Sequence, residues 1–232
     1  MRKAAISWSA GKDSSLALLR AREAGINIRT FVTMCEPDGS SKSHALSPNL
    51  IEAQVERFGG DWLPVRVPAG GYTTAFAQVL AELAASGHTH MVFGDIDLQA
   101  HRDYIEPMCQ RAGLVALFPL WGESRQQLAN EIIARQIRAI VVCVDTQYLD
   151  QRYCGLEYNQ AFIENLPDCV CPCGEDGEFH TFVMAAPSMS SPVPLQVGNT
   201  RLVPSAPPMN PTLLAFQDLS LVNPTLSGRD GT

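Results

Sequence analysis

Ser9-Ala10-Gly11-Lys12-Asp13-Ser14 stands between the apolar run Ala4-Ala5-Ile6-Ser7-Trp8 and the helix-like stretch Ser15-Leu16-Ala17-Leu18-Leu19. Within about 20 residues this order predicts a strand, a turn of small residues and a helix start. Small residues let a backbone approach a ligand closely. The first N–H groups of a helix lack internal acceptors and the dipole is positive there, so the turn suits a phosphate. Lys12 adds a positive charge, and Ser9 and Ser14 add hydroxyl donors. A Walker A loop is excluded, because it would need Gly where Ile6 stands and Ser or Thr where Asp13 stands.

Outward from that turn, strand-like and helix-like segments alternate. Ile28–Met34 reads as a second strand. Ser47-Pro48 opens a helix whose face carries Ile51, Val55 and Phe58. Trp62–Val67 is a third strand-like run, weakened by Pro64. Phe76, Val79, Leu80 and Leu83 share one helical face, His90–Phe93 is the next strand, and Ile105, Met108 and Cys109 mark another helix. Such alternation implies an α/β fold, a doubly wound parallel sheet with helices on both faces. A second unit begins near Trp121, dividing the chain into 1–120 and 121–232. Ser124 and Gln127 suit a capping box, and Ala139–Val144 is a buried strand. Residues 187–211, rich in Pro and Ser, suggest irregular packing or a partly mobile tail.

The chain has 232 residues, 46% of them hydrophobic and 18% charged, with a net charge of −7. This is the composition of a globular protein, and its acidity argues against nucleic-acid or membrane surfaces as partners. No segment approaches the ~18 apolar residues of a membrane span. Seven cysteines, an odd number, suit reduced thiols in a cytoplasm.

Two further segments carry chemistry. In an open parallel sheet, ligands bind beyond the strand ends where the strand order reverses. If the first strand neighbours His90–Phe93 there, Gly94-Asp95 faces the Ser9–Ser14 turn. Asp95 and Asp13 are then candidates to hold Mg²⁺, which takes one or two carboxylates plus phosphate oxygens. Gly174-Glu175-Asp176-Gly177-Glu178-Phe179-His180-Thr181 is the second. Strand alternation would put Glu178 and His180 on one face, as an acid–base or amine-binding pair, and Phe179, Thr181 and Val183 on the other. Cys169, Cys171 and Cys173 would share one strand face, with His180 as a fourth candidate metal ligand, although their spacing fits structural thiols better.

The Ser9–Ser14 turn resembles the PP-loop of N-type ATP pyrophosphatases, S-G-G-x-D-S, with Ala10 where that family usually has Gly. Such an alanine is strained if the position needs positive φ. The motif order extends the resemblance. The PP-loop, Val92-Phe93-Gly94-Asp95-Ile96, Pro119-Leu120-Trp121 and Cys173–Thr181 resemble the diphthine–ammonia ligase family over about residues 3–184. The resemblance implies a five-stranded PP-loop ATPase domain followed by a smaller α/β domain. It implies ATP and Mg²⁺, adenylation of a carboxylate with loss of pyrophosphate, and amide formation with ammonia or an amine. The acceptor would be a small molecule or a protein. It places Ser9, Ala10, Gly11, Lys12, Asp13, Ser14, Met34, His44, Gly94 and Asp95 at the nucleotide. Glu175, Glu178 and Thr181 fall on the substrate side, and Lys12, Asp13, Glu175, Glu178 and His180 form the catalytic set. Phe179-His180-Thr181 is more similar to the family's bacterial branch than to the ligases, which often carry Glu at the His180 position. Bacteria do not make diphthamide, so if the chain is bacterial its acceptor is something else, and a generic small carboxylate is the expected one. An RNA-thiolating PP-loop enzyme and a non-catalytic ATP sensor are the competing readings, and a homodimer is expected.

Overall fold

β1 (Lys3–Ser7) is buried at Ala4, Ala5 and Ile6, as a strand covered on both faces must be. It runs into α1 (Lys12–Glu23) through the Ser9–Gly11 turn. In the computed structural model the described residues are 3–41, 46–205 and 211–222. The chain continues through β2 (Asn27–Cys35), α2 (Pro48–Arg57), β3 (Asp61–Arg66), α3 (Tyr72–Ala85), β4 (His90–Val92), α4 (Gln99–Arg111) and β5 (Val115–Leu117). The five strands form an all-parallel sheet in the order β3-β2-β1-β4-β5. Strand order therefore reverses between β1 and β4. Alternate residues of β1 serve different cores. Ala4 and Ile6 pack with Leu16, Leu18, Leu50 and Ile51, from α1 and α2. Ala5 packs with Phe76, Leu80, Ile105 and Met108, from α3 and α4. Pro64 is tolerated because β3 is an edge strand. The short β5 carries no pattern long enough to mark a strand in the sequence.

The second half is built on α5 (Arg125–Ala134), β6 (Arg138–Asp145), β7 (Glu157–Tyr158), α6 (Gln160–Glu164), β8 (Phe179–Ala185), β9 (Leu195–Pro204) and β10 (Leu213–Leu221). Its sheet is antiparallel: β8 lines one edge of β6, and β7 and β10 share the other. The expectation of irregular packing over 187–211 is corrected in part. Leu195–Pro204 is a full strand, paired with β10, because its backbone has a partner that composition does not reveal. Ser124 caps α5 by backbone geometry, with no side-chain capping bond. One apolar core runs from Ile6 and Leu16 to Val141, Phe182 and Ala215, so both sheets share it. Among the described residues no helix is long and apolar enough to cross a membrane.

Candidate active site

Ala10 has φ 66°, the left-handed conformation that an alanine adopts only at a steric cost. This turn sends the chain from β1 into α1. Inside it, Ser9 Oγ accepts from Gly11 N (3.2 Å) and lies 3.1 Å from Ser14 Oγ, while Ser14 Oγ donates to Gly11 O (3.0 Å). The N–H of Lys12 donates to Thr181 Oγ1 (3.1 Å). Asp13 and Ser14 therefore supply the remaining first-turn N–H groups without an intrahelical acceptor.

The turn forms one wall of a cleft of about 260 Å³ at the β1–β4 crossover. Gly94 and Asp95 form the second wall. A Cβ on Gly94 would stand 3.0 Å from Ser14 N, so only glycine permits this approach. The third wall comes from Cys173–Glu175, Gly177 and Phe179–Thr181, beginning 161 residues beyond Lys12.

Lys12 is buried, with its Nζ 2.8 Å from Asp13 Oδ2 and bonded to the Cys173 carbonyl. Burial opposes its charge, but Asp13, Cys173 and Glu175 outweigh that, so the ammonium is held above its ordinary range. Asp13 Oδ1 is buried with no hydrogen-bond partner. Asp95 Oδ1 lies 2.9 Å from His101 Nδ1. Asp13 and Asp95 line the same cleft, and a carboxylate oxygen without a partner is the kind of ligand a hard divalent cation shared with phosphate oxygens takes.

Glu175 lines the cleft, and its carboxyl is pushed up to about 8 by burial and by Asp13, Asp95 and Asp97, against the pull of Lys12. His180 is pushed down to about 4 by burial and the Lys12 charge, so its imidazole is neutral near pH 7. Glu178 does not join them. It is 1% exposed, and its carboxylate accepts from Cys171 N (2.7 Å) and Asp176 N (3.0 Å), fixing the turn that presents Glu175. The expected Glu178–His180 pairing on one strand face is thus corrected. Glu178 precedes β8, and the β6–β8 register shifts between Val141 and Cys143, beside the partners of His180 and Thr181. The expectation of a shared strand face for the thiols is corrected as well, since Cys169 and Cys173 lie in turns and Cys171 in irregular chain between them. Cys169 is exposed, while Cys171 and Cys173 are buried.

Met34, in β2, packs against the α3–α4 core and is not among the cleft residues. His44 lies outside the described residues. Three participants escaped the sequence reading. His101 reaches Asp95 from the first turn of α4, a His six residues beyond an Asp across a helix start. Arg125 chelates Asp97 (2.7 and 2.9 Å) and Asp176 (2.7 and 3.2 Å), clasping the second wall to the third. Gln54 is a polar residue inside the apolar face of α2, a signal visible in the heptad around it.

Comparison with known proteins gives matches along most of the chain. The family model described as diphthamide synthase N-terminal domain matches residues 1–116, and that of the C-terminal domain matches residues 124–199. A 91-residue stretch is 33% identical to the Mus musculus protein named diphthine–ammonia ligase, covering 37% of this chain and 34% of that one. The Schizosaccharomyces pombe protein of the same name is 29% identical over 90 residues, covering 37% of this chain and 15% of that one. The similarity thus spans about a third or less of these curated relatives. A solved chain, described as a predicted subunit of tRNA methyltransferase from Methanocaldococcus jannaschii, has a TM-score of 0.43 and 15% identity, over 80% of this chain and 98% of that one. With both domain models matched in order along most of its length, the chain belongs to the diphthamide synthase family.

Proposed function

We propose that this protein is an ATP-dependent, amide-forming ligase. The observation that carries the reading is the crossover cleft. It brings together a helix-N-terminal phosphate loop, the Gly94-Asp95 edge and the acidic Glu175 turn. The relatives named diphthine–ammonia ligase support the same chemistry.

The Ser9–Ser14 loop would hold the β and γ phosphates. A substrate carboxylate oxygen attacks the α phosphorus, the bond between α phosphorus and bridging oxygen breaks, and pyrophosphate leaves. Lys12 offsets the charge that grows on the departing oxygen. Asp13 and Asp95 would hold Mg²⁺, which supplies further neutralisation of the phosphates when bound. In the second half, a nitrogen nucleophile attacks the acyl carbon, the acyl–phosphate oxygen bond breaks and AMP departs. Glu175, poised near neutrality, takes the proton released by the incoming amine. His180 stays neutral beside Lys12 and is able to hydrogen-bond the acceptor. Glu178 holds the turn in shape. His180 stands where the ligases often carry Glu, so the acceptor we favour is a small carboxylate rather than diphthine.

The test is product analysis of labelled ATP with Mg²⁺ and ammonium, with and without a metabolite extract. AMP and pyrophosphate that depend on the extract are expected. ADP and phosphate would overturn the assignment of the bond broken, and binding without turnover would favour a nucleotide sensor.

A further inference from the structure

α2 turns Leu50, Ile51 and Val55 into the core, Phe58 follows at its C-terminal cap, and Gln54 lies among them with 0% exposure. A buried amide is unfavourable unless its groups are bonded. Here Oε1 accepts from Trp8 Nε1 (2.9 Å), and Nε2 donates to Ala10 O (3.0 Å) and Val183 O (2.6 Å). Val183 N donates in turn to the same Ala10 carbonyl (2.9 Å). One side chain thereby joins the exit of β1, the phosphate loop and β8. Ala10 is the residue held at φ 66°, where an alanine persists only if its surroundings enforce the conformation.

We propose that Gln54 is a positioning residue for the phosphate loop. Its amide holds the Ala10 carbonyl, and with it the left-handed turn that aims the first N–H groups of α1 at the cleft. Because Val183 shares a strand with Thr181, whose hydroxyl accepts from Lys12 N, the same amide also sets the spacing between the loop and the third wall. The proposal rests on the reading of this loop as a nucleotide site. Ala10 explains why the position matters. Glycine adopts this φ without steric cost and would hold the turn unaided. A side chain that merely filled the core would be equally important beside Ala or Gly.

The experiment compares wild type, Q54M, A10G and A10G/Q54M, measuring ATP affinity with Mg²⁺ by calorimetry together with thermal midpoints. Q54M keeps the volume and loses every hydrogen bond. It is expected to weaken ATP binding by about tenfold, the equivalent of one or two hydrogen bonds. In the A10G background the same change is expected to weaken binding by no more than about threefold. An equal loss in both backgrounds, or no loss in either, overturns the proposal. Should Q54M not fold, Q54E is compared in the same way, since it keeps the acceptor for Trp8 and loses both donors. Folding of either variant only with A10G supports the proposal, and failure of both in both backgrounds overturns it. If wild type binds no ATP, the nucleotide reading falls on its own. The midpoints then decide the role of Gln54: non-additive shifts support it and additive shifts overturn it.

Discussion

Gly94 and Ser14 touch backbone to backbone, since a Cβ on Gly94 would lie 3.0 Å from the Ser14 nitrogen and 3.1 Å from its Cα. Neither partner is a flexible side chain, so Gly94→Ala must push β4 away from α1. Overpacking of this kind typically costs about 1–3 kcal/mol. In a chain of this size that predicts a thermal midpoint lowered by roughly 2–12 °C. Nucleotide affinity should fall by about tenfold or more, because the two sides of the phosphate cleft separate. A variant with wild-type affinity would contradict the close approach.

Lys12→Ala removes the cation between Asp13 and the Cys173 carbonyl. AMP formation is expected to fall by about a thousandfold or more, since among the described residues lining the cleft there is no second lysine or arginine to replace the charge. Stability should fall by about 1–3 kcal/mol, less than for a fully buried pair because Asp13 is 25% exposed. Labelled-ATP turnover and denaturant melts measure the two effects separately. AMP formation within a few-fold of wild type would remove Lys12 from the mechanism.

Glu175 predicts a pH dependence. Its carboxyl is held near 8, so the base form grows as pH rises through that value. Single-turnover transfer, measured at constant free ammonia, should therefore rise with an apparent pKa near 8. Glu175→Gln should erase that limb and slow transfer by about a hundredfold. The linked stability runs the other way. The folded state holds a proton between about 4.5 and about 8 that the unfolded chain has released, so stability declines as pH climbs through that window. Melts of the Gln variant should lack this decline.

Glu178→Gln tests the turn behind Glu175. The carboxylate accepts two backbone N–H groups, while the amide has one oxygen and turns its NH₂ toward a donor. A loss of about 1–3 kcal/mol is expected. ATP affinity should stay within a few-fold, while amide formation drops by at least about tenfold as Glu175 shifts. Equal loss of ATP binding and transfer would mean that the turn supports the whole cleft.

Much of the first two walls of the cleft was legible because local order carries it. A strand, a small-residue turn and a helix within one short segment leave few alternatives, and Gly94-Asp95 follows β4 at the place where the sheet topology needs a ligand loop. Less could be read where residues meet across long separations. Periodicity placed Glu178 beside His180, but a backbone-capping role depends on the Cys171–Asp176 turn, which has no repeat. Arg125 acts on carboxylates 28 and 51 residues away that only the folded chain brings near it, whereas His101 is local to Asp95 but depends on the start of α4 to turn it back. Gln54 was readable as a polar intruder on an apolar helix face, yet its three partners lie 44 to 129 residues away. The β9–β10 pair was hidden by prolines and serines around it, since strand pairing depends on a partner and not on composition alone.

The bond from Lys12 N to Thr181 Oγ1 spans 169 residues of sequence. The phosphate loop is made first during synthesis, but it receives this last support only after β8 has emerged and docked. A growing chain thus carries the Ser9–Ser14 turn long before the residues that complete its cleft exist. Docking of β8 is therefore the step that closes the third wall of a cleft whose residues come from both halves of the chain.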